Sequence, residues 1–334
     1  DTSSKRFKYK NAWYDVYVDS LIENENYNDS QCCILESNQR FLKSKNPLRN
    51  THEIQHILIL NFVKSFFSKK PKFTDKFLRE YNKIYDFYKN TLYINFLISK
   101  TDIVKEWSII NNLKNYFLKI LHDVSPKKIF MIHYNGYDGM ALCLAANQLK
   151  ISTYDIQHGV QGNYHPAYNY YKVPFGGFNL IPKNFLVWSK KEKELIERGF
   201  NNRSHHRVKA YGNTLLNSFK IKSDISKYYD KVFIEKFKNI NDRKIILLSL
   251  CWGESISSKM ISLIESSDQI YFFLIRIHPS TTKKEKFLIV KKLNKLKSKN
   301  FDFKESSNLP IHCLLRNINF HITSVSSIVL EALE

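Results

Sequence analysis

The sequence has few of the residues that mark fibrous, disulfide-bonded or membrane-spanning proteins. Its 334 residues include only 9 Gly and 8 Pro, which argues against collagen-like and low-complexity chains. The five cysteines are odd in number and lack CxxC spacing, as expected of buried thiols in a reducing compartment. No apolar run reaches the ~18 residues that a membrane-spanning helix needs. The chain starts without Met and ends inside a predicted helix, so we expect it to be part of a longer protein.

Basic residues far outnumber acidic residues in this sequence. Lys and Arg number 52 against 31 Asp and Glu, which gives a formal net charge of +21. Nucleic acid, an anionic membrane surface and anionic substrates all fit such a charge. The basic residues are scattered, and no zinc-finger, RNA-recognition or basic-zipper pattern is present. We therefore expect no nucleic-acid partner, and instead a phosphorylated substrate and an anionic inner-membrane surface.

Residues 52–123 have the spacing of helices. Apolar residues recur every three or four positions through 54–67, and two more helical stretches follow near 75–98 and 101–121. The first of these two contains an aromatic stripe, Phe77, Tyr81, Tyr85 and Tyr88. A ligand-binding box and helix packing both explain such a stripe, and the spacing favours packing in a hydrophobic core.

Strands and helices alternate from residue 128 onwards. Lys128–Ile132 is a predicted strand, Tyr137–Leu149 a helix and Ile151–Gln157 the next strand. A βαβ unit of this kind forms a parallel sheet, with ligand sites at the carboxyl ends of its strands.

A second series of strands follows a charged stretch, residues 222–243, which we predict to be a linker helix on the surface. Its strands are Lys244–Cys251, Ile270–Ile277 and Asn319–Thr323. The sequence therefore predicts an α/β protein with two Rossmann-like domains in tandem and a cleft between them. We expect the domains to be 1–180, on the acceptor side, and 181–334, which binds the nucleotide.

His158 follows a predicted strand at the point where the chain turns into a loop. Because imidazole is the side chain that ordinarily titrates near neutral pH, His158 is a candidate catalytic base at the sheet edge. Asp155 and His165 are the other catalytic candidates. Direct support of the imidazole by Asp155 is not expected, because Asp155 shares a strand face with Gln157. A hydrogen-bonded structural histidine is the alternative interpretation of His158.

Polar residues follow the strands of the second half in the same way. Since the carboxyl ends of parallel strands meet at one edge of a sheet, we expect a phosphate site there, helped by a helix N-terminus and positive charge. Each feature alone is also typical of an ordinary cap or turn. The candidate binding residues are Gly212, Asn213, Gly253, Glu254, Ser255, Arg276, His278, Pro279, Ser324, Ser326 and Ser327.

Several segments resemble a known family. The run DIQHGV and the HPAY that follows, then FLVWS, YGN, RIHP and TSVSSIVLEA, are similar to bacterial surface-polysaccharide glycosyltransferases of the two-Rossmann, or GT-B, type. The early Trp13–Asp15 segment is similar to such proteins as well. The His-Pro and Ser-Ser pair resembles the nucleotide motifs of CMP-sugar (sialyl and Kdo) transferases. The His-Gly resembles the base of CDP-glycerol glycerophosphotransferases.

The resemblance implies roles for particular residues. His278 and Ser326 with Ser327 would contact the donor phosphates, Arg276 would assist, and Glu331 would reach the nucleotide ribose. His158 would be the base or an acceptor-site residue.

The predicted function is therefore a metal-independent, inverting glycosyltransferase. It would move a sugar from a nucleotide-sugar donor, CMP-sugar favoured, to a growing surface polysaccharide or a lipid-linked glycan acceptor. No DxD triplet is present, and we expect no cofactor beyond the nucleotide-sugar substrate. The expected location is the cytoplasm, at the inner face of the membrane. The alternatives are a sugar-nucleotide epimerase of the same double-Rossmann build, a CDP-glycerol-type transferase and a nucleic-acid-binding module.

Overall fold

The chain forms two compact units, and the first of them is discontinuous in sequence. The computed structural model describes residues 6–37, 46–67, 72–91, 98–161, 165–168, 173–200, 204–220, 223–240, 242–267, 269–324, 326 and 328–333. Unit 1 comprises Asp1–Ile34, Leu42–Thr51 and Gly212–Glu334, and unit 2 comprises Leu35–Phe41 and His52–Tyr211. The expected boundary between residues 180 and 181 thus falls inside unit 2.

The helices and strands alternate along most of the chain, as a βα protein requires. In chain order they are β1 (Arg6–Tyr9), β2 (Ala12–Asp15), α1 (Val18–Asn24), β3 (Leu35–Glu36), β4 (His52–Glu53), α2 (Gln55–Phe67), α3 (Asp75–Thr91), α4 (Lys100–Val124), β5 (Lys128–Met131), α5 (Tyr137–Gln148), β6 (Ser152–Ile156), β7 (Asn184–Val187), α6 (Lys190–Gly199), β8 (Arg207–Ala210), α7 (Thr214–Lys220), α8 (Asp224–Lys236), β9 (Lys244–Ser249), α9 (Ser258–Ser266), β10 (Tyr271–Arg276), α10 (Lys283–Leu293), β11 (Phe301–Asp302), α11 (Glu305–Asn308), α12 (Ile311–Leu315), β12 (Phe320–Thr323) and α13 (Ile328–Ala332).

Unit 1 is built on a four-stranded parallel sheet in the order β11-β10-β9-β12. Successive residues of its central strands point to opposite faces, and both faces are covered. Ile246 and Leu248 pack with α9 and α10 on one side. Leu247 packs with α8 and α12 on the other. Burial on both faces explains why the strand sequences are continuous apolar runs.

The N-terminal hairpin belongs to the same core as α8. β1 and β2 pair antiparallel, and Phe7 stacks on Tyr14 at 5.1 Å between ring centroids and meets Tyr229 edge-on. The prediction that residues 222–243 form a surface linker is wrong in this respect. Alternating with its charged residues, α8 carries a buried apolar stripe, which includes Ile225, Tyr229 and Phe233.

Unit 2 contains a parallel sheet in the order β5-β6-β7-β8, and this confirms the predicted βαβ unit. The fold class, α/β with two Rossmann-like units, is confirmed likewise. Helix α4 begins at a capping box in which Ser99 accepts from the backbone N–H of Asp102 at 3.1 Å. Helices α4 and α5 supply much of the unit's core, with Phe117 and Ala145 almost completely buried.

The aromatic stripe of α3 does not lie in a core. No residue of α3 is buried, and Tyr85 and Tyr88 are exposed by more than a third of their surface, at 36% and 38%. The periodicity correctly predicted an amphipathic helix, but the expectation that a core covers its apolar face is wrong.

Candidate functional site

The turn after β9 is held by hydrogen bonds between its own residues. Glu254 accepts from the backbone N–H of Cys251 at 2.7 Å, and its own N–H donates to the Cys251 carbonyl at 3.1 Å. Gly253 has φ of +75°, which side-chain-bearing residues rarely adopt. A Cβ there would meet nothing within 4 Å. The turn therefore presents open backbone at the sheet edge, with Ser255 exposed beside it.

The end of β12 lies beside this turn. The Thr323 hydroxyl donates to the Ser249 carbonyl at 2.9 Å, and the Ser324 hydroxyl lies 3.7 Å from the Cys251 sulfur. Within β12, His321 Nε2 lies 3.1 Å from the Ser249 hydroxyl. Sequence reasoning missed Cys251 and Thr323, which join the two strand ends, because their roles depend on the pairing of β9 with β12.

The strand order makes this junction a topological switch point. The chain runs outward from β9 to β10 and β11, then crosses back to pair β12 on the other side of β9. The connecting helices α9 and α10 cover one face of the sheet and α12 covers the other. Loops that leave two adjacent strands toward opposite faces create a crevice at their carboxyl ends, where open α/β sheets bind ligands.

Ser326 lies at the start of a short helix, and its implied contact with the donor phosphates remains a prediction. Its hydroxyl accepts from the backbone N–H of Ile328 at 3.3 Å, as a cap of α13, which has only five residues. Ser327 lies outside the described residues.

The residues after β10 divide between the edge and the interior. His278 and Pro279 are exposed, and His278 Nδ1 accepts from the backbone N–H of Ser280 at 3.1 Å. The Arg276 guanidinium donates instead to the carbonyls of Ser306, at 2.9 Å, and Leu309. Burial, and secondarily the Arg276 charge, lower the pKa of His278, so its imidazole is neutral at neutral pH.

Glu331 is engaged inside unit 1. One carboxylate oxygen lies 2.7 Å from Nε2 of His312, a buried residue whose ring stacks on Phe219. Burial and the nearby Glu331 charge raise the pKa of Tyr17 to about 12. The implied ribose contact of Glu331 remains a prediction.

Gly212 and Asn213 lie directly before helix α7. Gly212 has φ of +91°, and the Asn213 side chain accepts from the backbone N–H of Leu216 at 3.1 Å.

The Trp13–Asp15 segment makes structural contacts. Asp15 accepts from the N–H groups of Tyr17 and Val18, each at 3.0 Å, at the start of α1.

A cavity of about 320 Å³ adjoins the turn after β9. Three lysines and two glutamates lie around it, and Lys292 reaches across to the Ile256 carbonyl at 3.3 Å. Its lining residues are Gly253, Glu254, Ser255, Glu285, Leu288, Ile289, Lys291, Lys292 and Lys295. Its volume is at the lower end of the range for small-molecule pockets.

In unit 2, Asp155 lies beneath the sheet edge. It is only 1% exposed and accepts from the Tyr168 hydroxyl at 2.9 Å and from the Tyr134 N–H at 3.2 Å. Burial raises the pKa of Asp155 to about 7, against the lowering effect of these hydrogen bonds. Asp155 thus joins β6 to the loop after β5 and to residues 165–168.

Three histidines lie in the segments around Asp155. The His158 and His133 rings lie 5.1 Å apart, and His165 packs against Tyr168 at 4.9 Å. Residue His133, at φ +70°, was not predicted, because nothing in the sequence marks the turn after β5 as left-handed. Both His158 and His165 are partly exposed.

No protein-family model matches this sequence, and no curated protein sequence is significantly similar to it. Solved structures with a similar chain trace include a protein assigned as a UDP-N-acetylglucosamine 2-epimerase from Listeria monocytogenes, at 15% identity and a TM-score of 0.47 over 71% of this chain. A UDP-GlcNAc 2-epimerase from Neisseria meningitidis, bound to UDP-GlcNAc, is 15% identical with a TM-score of 0.43, covering 87% of this chain and 72% of its own. The enzyme from Methanocaldococcus jannaschii is 17% identical with a TM-score of 0.46, covering 68% of this chain and 64% of its own.

This comparison contradicts the predicted glycosyltransferase, because these neighbours are described as sugar-nucleotide epimerases. It agrees with the epimerase alternative, and it gives the CMP-sugar transferase resemblance no support. The chain spans 62% of the Listeria protein. At such identities the likeness concerns the fold alone.

Within the described part of the chain, no helix is both long and apolar enough to cross a membrane.

Proposed function

We propose that the chain is an enzyme that binds a sugar nucleotide through unit 1 and epimerises its sugar. The observation that carries the proposal is the crevice between β9 and β12. Here a left-handed glycine leaves the backbone open, and the Ser324 and Ser326 hydroxyls stand on the facing strand end. Backbone and hydroxyl donors at a switch point are the groups that bind nucleotide phosphates in α/β folds.

Positive charge next to this crevice favours an anionic ligand. Lys291, Lys292 and Lys295 line the adjoining cavity, and the Arg276 charge acts on His278 at the end of β10. Lysines act on phosphates as mobile point charges, whereas a neutral imidazole offers one donor and one acceptor. The two glutamates of the cavity leave a net positive site, which suits a diphosphate.

An epimerase, unlike a transferase, needs no acceptor. Inverting a carbon centre by proton transfer requires groups that remove and return a proton, and imidazole is suited to both roles near neutral pH. The histidine cluster of unit 2 offers such groups, with His158 as the proposed base.

Nucleotide binding is tested by thermal stabilisation with UDP, CMP, CDP and GDP, and with UDP-GlcNAc, the ligand of the Neisseria structure. A nucleotide at about 100 times its Kd should stabilise the protein by roughly 2.7 kcal/mol. Ser324→Ala combined with Lys291→Ala should weaken binding, by about tenfold if each lost contact contributes ~0.7 kcal/mol. Ser266→Ala, an exposed serine at the end of α9, is the matched control. Equal binding by both variants would remove the crevice from the proposal.

The reaction is tested by incubating the stabilising sugar nucleotide alone in deuterated water. We expect a second epimer that carries solvent deuterium at the inverted carbon. His158→Ala should abolish this exchange while nucleotide binding persists. Turnover that depends on an added glycan acceptor would contradict the epimerase.

Association with an anionic membrane surface, which the net charge predicts, is a separate proposal and rests on helices α2 and α3.

A further inference from the structure

Large apolar side chains are exposed on two helices of unit 2 that follow each other in the chain. On α2, Phe67 is 87% exposed and Phe66 50%, and on α3, Phe87 is 52% exposed. On each helix exposed rings contact one another, Phe62 with Phe66 and Phe87 with Tyr88, and clustered apolar surface of this kind marks an interaction site in soluble proteins. We call it the aromatic surface, and its members are Phe62, Phe66, Phe67, Ile84, Tyr85, Phe87 and Tyr88.

Helix α3 lacks the packing that stabilises helices in globular proteins. It has 17 residues and none of them is buried. Its rings form a ladder along one side, with Phe77 stacked on Tyr81 at 6.3 Å and Tyr81 on Tyr85 at 6.1 Å, and Phe73, just before the helix, stacks on Phe77 at 4.4 Å. Because tertiary burial of an apolar face supplies most helix stability, this face requires a partner outside unit 2's own core.

The charge around the aromatic surface is positive. Residues 55–105 contain ten Lys or Arg and four Asp or Glu. Lysine ammonium groups lie against the rings themselves: Lys105 is 5.5 Å from the Phe66 ring and Lys89 is 5.8 Å from the Tyr85 ring. Aromatic and aliphatic side chains bordered by lysines are the composition of helices that lie in the interface of an anionic bilayer.

We propose that α2 and α3 dock this aromatic surface onto an anionic phospholipid membrane. Phe66, Phe67 and Phe87 insert among the acyl chains at headgroup depth, and the flanking lysines contact lipid phosphates. Charge favours this partner over a second copy of the chain, because pairing the same surface in a dimer would bring two lysine-rich rims together.

The test is co-sedimentation of the protein with two kinds of vesicle, one of phosphatidylcholine alone and one of equal parts phosphatidylcholine and phosphatidylglycerol. We expect binding to the anionic vesicles only, weakened by added salt. Phe66→Ser with Phe67→Ser should reduce partitioning more than tenfold, because two rings leave the bilayer. Lys64→Glu should reduce it by at least about fivefold. Since these side chains are exposed, the melting temperature should hardly change.

Phe175→Ser is the matched control, because Phe175 is 95% exposed in the same unit but lies off α2 and α3. It should bind vesicles as the unaltered protein does. Absence of vesicle binding, or equal binding by the Phe66→Ser, Phe67→Ser variant, would overturn the proposal. A dimer in solution that this double variant dissociates, without vesicle binding, would show that the surface serves a second copy instead.

Discussion

The carboxyl edges of the two parallel sheets differ in how far their polar residues are buried. In unit 2 the edge is closed from beneath, because Asp155, Tyr168 and Gln157 are each at most 1% exposed. In unit 1, residues one to three positions past the strand ends face outward, with Trp252 70% exposed and His278 and Ser324 also exposed. Polar residues at the ends of apolar strands therefore belong to a structural brace in one unit and to an open surface in the other.

The loop that follows each strand accounts for the difference. In unit 2, residues 165–168 fold back over the edge, and the Tyr134 hydroxyl donates to the Ala167 carbonyl while Tyr168 donates to Asp155. In unit 1, the turn after β9 bonds to itself and leaves its surroundings open. Substitutions at the two edges should accordingly differ in their effect on stability.

The largest expected effect is that of Asp155→Ala. It leaves the Tyr168 hydroxyl and the Tyr134 N–H buried without their acceptor, and this should lower the free energy of unfolding by about 3 kcal/mol. Ser324→Ala, at the open edge of unit 1, should change it by less than about 0.5 kcal/mol. Urea unfolding of both variants measures the difference, and similar values would mean that the two edges are equivalent.

A smaller effect is expected from adding one methyl group at each edge. In Gly139→Ala the new Cβ would overlap the Tyr134 backbone. This overpacking should lower the free energy of unfolding by about 2 kcal/mol, although alanine is favoured over glycine within a helix by ~1 kcal/mol. In Gly253→Ala the Cβ meets open space, and only the left-handed backbone costs, at about 1 kcal/mol. Melting temperatures test the ranking, which would fail if Gly139→Ala were stabilising.

The smallest effect is expected from Tyr168→Phe. Its dependence on pH tests whether the Tyr168 hydroxyl acts on the Asp155 carboxyl. Losing one buried hydrogen bond should cost about 1 kcal/mol. The pKa of Asp155 is about 7 in the folded protein and about 3.9 in an unfolded chain. The stability that this carboxyl contributes is therefore complete below about pH 4 and is lost as pH rises to about 7.

Because the Tyr168 hydroxyl lowers the pKa of Asp155, its removal raises that pKa further, and the loss of stability should continue to higher pH. Denaturant midpoints measured across this pH range should separate the variant from the unaltered protein increasingly above neutral pH. Tyr154→Phe, which leaves Asp155 untouched, is the control. Parallel curves for all three would show that the hydroxyl does not act on Asp155.

Local patterns were sufficient to predict most strands of the two four-stranded parallel sheets. Apolar runs such as 244–251 and the alternation from residue 128 specify strands and helices with bounds close to the observed ones, because both signals depend on neighbours in sequence. The candidate residues after β9 and β12 followed from the same rule.

What the sequence could not predict depends on contacts distant in the chain. Periodicity showed that α3 is amphipathic but not whether anything covers it. The membership of residues 6–34 in unit 1 rests on contacts such as the 2.6 Å hydrogen bond between the Ser20 and Thr214 hydroxyls. Likewise, the burial of Asp155 depends on the path of residues 165–168, which no local pattern specifies.

The discontinuity of unit 1 has a consequence for synthesis on the ribosome. Residues 52–211 form most of unit 2 and emerge as one continuous segment, so unit 2 can fold while translation proceeds. The N-terminal hairpin has emerged earlier, yet Phe7 and Tyr14 pack against Tyr229 and other residues of the last third of the chain. At ordinary elongation rates, on the order of 10 s pass between the synthesis of these rings and the synthesis of the residues that cover them. Over that interval the apolar face of the hairpin lacks the core that covers it in the folded protein.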